Sequence, residues 1–177
     1  MSDLSSAVQI SGGIFAVMMA TQYGTRSYGR RNIVLPIALA GVFGMAYLKT
    51  APTDHNSMMV YGVALGLGLV FALIAAATTR MFTDRETGSI MTRCGLGFVA
   101  VWAVAVAARI GFVWATTDIT AFRQWFGEHL MSLQLSPAVI APFFVIWALS
   151  MVLGRAAILA GRAAALHGTR TSVAALA

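Results

Sequence analysis

The sequence predicts an all-α fold, a polytopic transmembrane helical bundle with five spans, and three observations predict it. Hydrophobic residues make up 59% of the chain and charged residues 10%, with a mean hydropathy of +0.80. A water-soluble chain of this size needs far more polar surface to cover its core. Several apolar stretches approach or exceed the ~20 residues with which a helix crosses a hydrocarbon layer. These runs are continuous and rich in Ala and Leu, without the ~10-residue alternation of a membrane barrel strand.

Taken in order, the spans fall at about 7–22, 33–48, 58–78, 94–116 and 137–159, all within a single transmembrane domain covering 1–177. The first two are near the lower length limit for spanning. A four-span arrangement, with the first segment lying in the interface, is therefore the alternative. More membrane segments rather than a hydrophilic body follow the first one, so it reads as retained and not as a cleaved signal. Between the fourth and fifth spans, Ile119, Phe122, Trp125, Phe126, Leu130 and Leu133 recur at roughly helical spacing. That pattern predicts an interfacial helix over 119–134, with Asp118, Arg123, Glu128 and His129 on its other side. It serves either as part of the aromatic belt or as a lid across the outer mouth. A cytoplasmic tail, 160–177, closes the chain. Pro36, Pro137 and Pro142 sit in or near first turns, where proline is tolerated.

Orientation follows from the basic residues, which are retained on the cytoplasmic side in short loops. Arg26, Arg30, Arg31, Arg80, Arg85, Arg93, Arg155, Arg162 and Arg170 fall on one side; the other holds Lys49 and Arg123 with Asp3, Asp54, Asp118 and Glu128. The chain is expected in a bacterial cytoplasmic membrane with its amino terminus out and its carboxy terminus in. The net charge of +6 is then a topological signal that draws anionic lipid headgroups, and nucleic acid is not an expected partner.

Small residues predict how the spans meet. Gly62 and Gly66 form a GxxxG in the third span and Gly68 extends it. Such positions let helix backbones approach where lipid supplies no hydrophobic drive. Packing within the bundle and dimerisation both use this face, and bulk at Gly62 or Gly66 is expected to disrupt assembly.

The residues exclude several chemistries. Cys94 is the single cysteine, so a thiol redox pair or thiolate metal cage cannot be built within the chain. His55, His129 and His167 fall in predicted loops and tail, away from facing spans, so a bis-histidine haem lacks ligands. No nucleophile elbow, phosphate loop or metalloprotease helix is present. No Asp or Glu lies within a predicted span, which removes the usual vehicle of a proton-coupled transporter. No cofactor or catalytic residue is expected.

Four stretches carry a family resemblance: "RRNIVLP" at 30–36, "YGVALGLG" at 61–68, "AVAARIGFVW" around Arg109, and "FVIWALSMVLGR" ending at Arg155. Over about residues 30–155 the chain resembles the CcdC-like family of small bacterial membrane proteins. That family takes its name from a cytochrome c biogenesis gene neighbourhood. The resemblance implies a polytopic helical fold and brings no assigned reaction. Gly154 stands where the family tends to an aromatic, and the Ala-rich tail after Arg162 is extra.

Arg109 is the intramembrane candidate site, well inside the fourth span, while Arg155 closes the fifth, and for Arg109 two readings stand. As an anchor it snorkels toward the outer interface, roughly 10 Å along the helix at ~1.5 Å per residue. As a site it faces the bundle interior, paired with Asp54, Asp118 or Glu128, and offers a guanidinium to an anionic group. Trp102, seven residues earlier, shares its face, and Trp147 joins them as a ligand-binding candidate. The resulting expectation is a non-enzymatic binding, sensing or accessory component of the membrane, working with lipids and with a membrane protein partner or a second copy. A small-molecule or lipid carrier with an outer-facing cavity around Arg109 is the alternative, and a lipid- or quinone-modifying enzyme the weaker one.

Overall fold

The computed structural model describes residues 22–29, 31–84 and 86–174, with isolated positions at 8, 12–13, 15–16 and 19–20. In chain order the elements are β1 (Gly24–Ser27), α1 (Arg31–Leu48), α2 (His55–Ala77), β2 (Thr79–Thr83), β3 (Ile90–Cys94), α3 (Leu96–Asp118), α4 (Thr120–Ser132), a 3-10 turn (Pro137–Val139) and α5 (Ile140–Ala174). Among the described residues, α2, α3 and the stretch Pro137–Leu166 are long and apolar enough to cross a membrane, and α1 adds the shorter apolar stretch Ile33–Val42. The predicted first span, 7–22, lies largely outside the described residues.

Two of the helix starts have a side-chain cap that the sequence supplies. Asp54 caps α2: its carboxylate accepts from the Ser57 amide at 3.0 Å and from the Ser57 hydroxyl at 2.7 Å. These bonds satisfy an amide that a helix start otherwise leaves unpaired, and they hold the Asp54 carboxyl below the usual carboxylate range. Ser136 does the same for the turn at Pro137, accepting from the Ala138 amide at 3.2 Å. At the other end of α2, Arg162 reaches across from α5 and donates to the Ala76 carbonyl at 2.8 Å, placing a cation where the helix dipole is negative.

The expectation of an all-α chain is corrected by a three-stranded antiparallel sheet ordered β1-β3-β2. In its register Arg93 stands opposite both Thr25 and Arg80, while Cys94 stands opposite Gly24 and Thr79. The strands alternate: Thr79, Ile90, Thr92 and Cys94 are buried, and Arg80, Phe82 and Arg93 are exposed. The loops expected to carry only topological charge are therefore folded against the bundle. Beyond the predicted fifth span α5 continues as helix, running 35 residues in all to Ala174. At ~1.5 Å per residue it is about 50 Å long, well beyond a ~30 Å hydrocarbon layer.

The central contact is between α2 and α5, with α1 packed on the other side of α5. On α2 the buried stripe is Tyr61, Ala64, Gly68, Ala72 and Ala75, at spacings of three and four that keep one face. A Cβ on Gly68 would lie 2.5 Å from both the Trp147 carbonyl oxygen and Ser150 Cβ, and one on Gly154 would lie 2.9 Å from Ala72 Cβ. Gly62 and Gly66, by contrast, have no described atom within 4 Å of an added Cβ. Among the described residues, the close helix contact expected of the three is made at Gly68. Residues two apart on a helix are rotated ~200°, so the face of Ala64 and Gly68 turns Gly62 and Gly66 away.

The segment predicted at 119–134 is helical, as α4. Phe122 and Phe126 pack their edges on Phe112 of α3 at 6.1 and 5.2 Å, and Phe112 meets Phe144 of α5 at 5.3 Å. Trp125, Met131 and Leu133 stay exposed. The helix closes in a C-terminal turn: Leu135 N–H donates to Leu130 O at 2.8 Å, Gln134 N–H donates to Met131 O at 3.0 Å, and Gln134 has φ of 53°. This is the left-handed residue of a Schellman motif, where glycine fits best. Relief of about 1–2 kcal/mol of left-handed strain exceeds the extra unfolded-state entropy of glycine. Gln134→Gly is accordingly expected to unfold at the wild-type temperature or above it, and Gln134→Val clearly below. Thermal scans by circular dichroism in detergent check the order.

Candidate functional site

Two matching faces meet between α3 and α5. Trp102, Ala105, Val106 and Arg109 on α3, and Phe144, Trp147, Ala148 and Met151 on α5, line a cleft of about 70 Å³. Each set has the spacing i, i+3, i+4, i+7, one apolar face of a helix. The three ligand-binding candidates, Arg109, Trp102 and Trp147, therefore border one space. α2 supports the far wall, where Phe71 meets Trp147 edge to face at 5.3 Å, and Phe144 stacks on Trp147 at 6.0 Å.

The polar chemistry of the cleft is one-sided. Arg109 is half-buried, and its guanidinium carbon lies 6.0 Å from the Phe144 ring centroid, at the outer reach of a cation–π contact. Among the described residues it has no hydrogen bond or ion pair. The expected partners are occupied elsewhere or turned out: Asp54 caps α2, Asp118 accepts from the Thr117 hydroxyl at 2.9 Å, and Glu128 is exposed on α4. The indole nitrogens of Trp102 and Trp147 are also buried without a partner. A cleft lined by one guanidinium, and by no carboxylate, hydroxyl or amide side chain, is complementary to an acceptor-bearing or anionic group. Its volume suits a carboxylate, a phosphate oxygen pair or a carbonyl edge, with any apolar remainder outside.

Below this cleft, on the sheet side, lies a second guanidinium. Arg155 on α5 lies over the Phe98 ring of α3 at 4.6 Å. It donates to Gln22 Oε1 at 2.5 Å, to Cys94 Sγ at 3.2 Å and to Thr79 Oγ1 at 3.3 Å. Thr79 in turn donates to Ala75 O at 2.8 Å. Arg155 Nε is buried without a partner, as is the Tyr28 hydroxyl. Burial raises the Tyr28 pKa, with the charge of Arg155 opposing. No described carboxylate pairs with Arg155. The two arginines are reciprocal, each facing a phenylalanine of the opposite helix, with Met151 and Trp102 between them in the core.

Sequence reasoning left this second cluster out. The available signal was that Arg155 in "MVLGRAAILAG" has apolar residues on both sides, as Arg109 has. Its partners could not be read, since they come from β2, β3, α3 and the segment before β1. His129 Nδ1 lies 2.8 Å from the Trp125 carbonyl, and the described residues contain no group of three or more His, Cys, Asp or Glu side chains that could hold a metal ion. A wider groove of about 280 Å³ between the start of α2 and the end of α4, lined by Asn56, Met59 and Gln134 among others, carries no charged residue. No family model, no curated protein and no solved structure matches this chain.

Proposed function

We propose that the chain is a non-enzymatic binding component of a bacterial cytoplasmic membrane. The N-terminal segment, α1, α2, α3 and α5 form its five spans, amino terminus out and carboxy terminus in. Exposed Met59, Val63, Leu69, Leu73 and Val104 support contact with lipid tails. The grouping of Arg26, Arg80 and Arg93 in one sheet supports a single cytoplasmic end. The likeness to the CcdC-like family remains part of the proposal and concerns the fold only.

The carrying observation is the donor-only cleft. In this reading Arg109 takes the anionic or carbonyl end of an amphipathic molecule from the outer half of the bilayer, and its apolar part lies along α3 and α5 beside the rings of Trp102 and Trp147. The contacts of Phe122 and Phe126 of α4 with Phe112 support a lid-like cover on the outer side. A fatty acid carrying bromine on its chain is a direct probe, because bromine quenches tryptophan. With Trp114 and Trp125 changed to Phe, emission comes from Trp102 and Trp147. Saturable quenching is expected, weakened about tenfold in Arg109→Lys and more in Arg109→Gln, since a charge-assisted hydrogen bond is worth about 1.5–3 kcal/mol and lysine lacks the planar fork. Equal quenching in all three proteins would reduce Arg109 to an anchor.

A further inference from the structure

We infer that the exposed face of the sheet is a docking surface for anionic phospholipid headgroups of the bilayer that holds the helices. This inference rests on the membrane reading above and assigns a partner to a surface that reading leaves open. The unexplained feature is a row across the three strands, Thr25–Arg93–Arg80, fixed by register. Directly opposed side chains on neighbouring strands stand about 5 Å apart at Cβ, and like charges there repel. Both guanidinium groups are exposed, and among the described residues neither has a hydrogen bond or an ion pair. An isolated sheet gains nothing from two arginines in that register. A phosphate between them turns the repulsion into shared, charge-assisted hydrogen bonding.

The depth of the row identifies the phosphate's source. Arg80 is three residues past the end of α2 at Ala77, and Arg93 is three before the start of α3 at Leu96. With a strand rise of ~3.3 Å both stand within about 10 Å of the apolar helix ends, the depth of the headgroup layer. No linker lets the sheet move away from that depth. Apolar groups flank the cations as they do on interfacial surfaces: Phe82 is 43% exposed and Leu96, the first residue of α3, is 77% exposed. A guanidinium pair beside an exposed ring and an aliphatic side chain fits a phosphodiester with its glycerol and upper acyl chain.

The full chain is reconstituted in vesicles of phosphatidylcholine alone, or with phosphatidylglycerol at about three to one. Insertion is read by flotation, thermal stability by circular dichroism, and retained lipid by native mass spectrometry after detergent extraction. Wild type is expected to insert in both, to unfold at a higher temperature with phosphatidylglycerol, and to retain that lipid. Arg80→Gln with Arg93→Gln is expected to cut retention about tenfold and to abolish the lipid-dependent shift. In phosphatidylcholine alone, Arg93→Gln is expected to raise stability by removing the repulsion with Arg80. Insertion without any dependence on lipid charge overturns the headgroup site and leaves the membrane reading standing. Failure to insert in either vesicle overturns both. Equal stabilisation by inorganic phosphate in detergent assigns the row to a free anion and overturns the lipid assignment.

Discussion

Arg155→Met is expected to stay within about 1 kcal/mol of wild-type stability, whereas Arg155→Lys is expected to lose about 2 kcal/mol or more. The reasoning turns on the missing counter-ion. A guanidinium held among Phe98, Thr79, Cys94 and Gln22 carries the desolvation cost of a full charge, and no described carboxylate offsets it. Methionine removes that cost and fills much of the same space above the phenyl ring. The neutral groups it leaves behind are weak acceptors or otherwise bonded, as Thr79 is to Ala75 O. Lysine keeps the charge in the same surroundings but cannot serve three acceptors on different elements from one point, and it loses the flat stacking on Phe98. Chemical unfolding of both variants in mixed micelles measures the order. A methionine variant as weak as the lysine one would mean that the hydrogen bonds outweigh charge burial.

The expected order implies that Arg155 is not kept for stability. Its Nε and the nearby Tyr28 hydroxyl have no partner among the described residues, as the Arg109 guanidinium has none, so the first half of α5 borders two sites of hydrogen-bonding capacity that the described residues leave unused. In a membrane interior such groups are costly enough that an unused donor points to something outside the chain.

How much of this was legible depends on the range of the signal. The runs at 58–78, 94–116 and 137–159 are long, so α2, α3 and α5 follow from length and hydropathy. The seven-residue spacing of Trp102 and Arg109 put both on one face of α3 from local geometry alone. Phe144 and Met151, which complete the cleft, lie on another helix whose rotation no local pattern fixes. The strands were illegible for a different reason: GTRS, TRMFT and IMTRC are too short for a period-two pattern to stand out. Their arginines also match what a cytoplasmic loop would carry.

The glycines of α2 show the same limit and set the last expected result. α2 is apolar all round, so the GxxxG at Gly62 and Gly66 and the Ala64-Gly68-Ala72 stripe are equally plausible seams until α5 is placed. In the structure Gly68→Ala drives a methyl to 2.5 Å from the Trp147 carbonyl oxygen and from Ser150 Cβ, and to 3.1 Å from the Met151 amide nitrogen. Two of those neighbours are backbone atoms of a helix, so relief requires α2 and α5 to separate along the contact that also supports Trp147 and the cleft wall. Overpacking of this kind costs about 1–3 kcal/mol, and alanine returns only about 1 kcal/mol of helix propensity over glycine. Gly68→Ala is therefore expected to lose about 2 kcal/mol and to weaken quenching by the brominated fatty acid. Gly154→Ala meets Ala72 Cβ at 2.9 Å and Leu69 Cδ2 at 3.2 Å and is expected to lose less, because the Leu69 methyl can turn away and only the milder Ala72 contact forces the helices apart. Gly62→Ala and Gly66→Ala meet open space within the chain and are expected to be neutral or slightly stabilising. Unfolding of the four single variants side by side decides the matter. A loss at Gly62 or Gly66 comparable to that at Gly68 would show that a second copy of the chain, or the segment before β1, packs on that face.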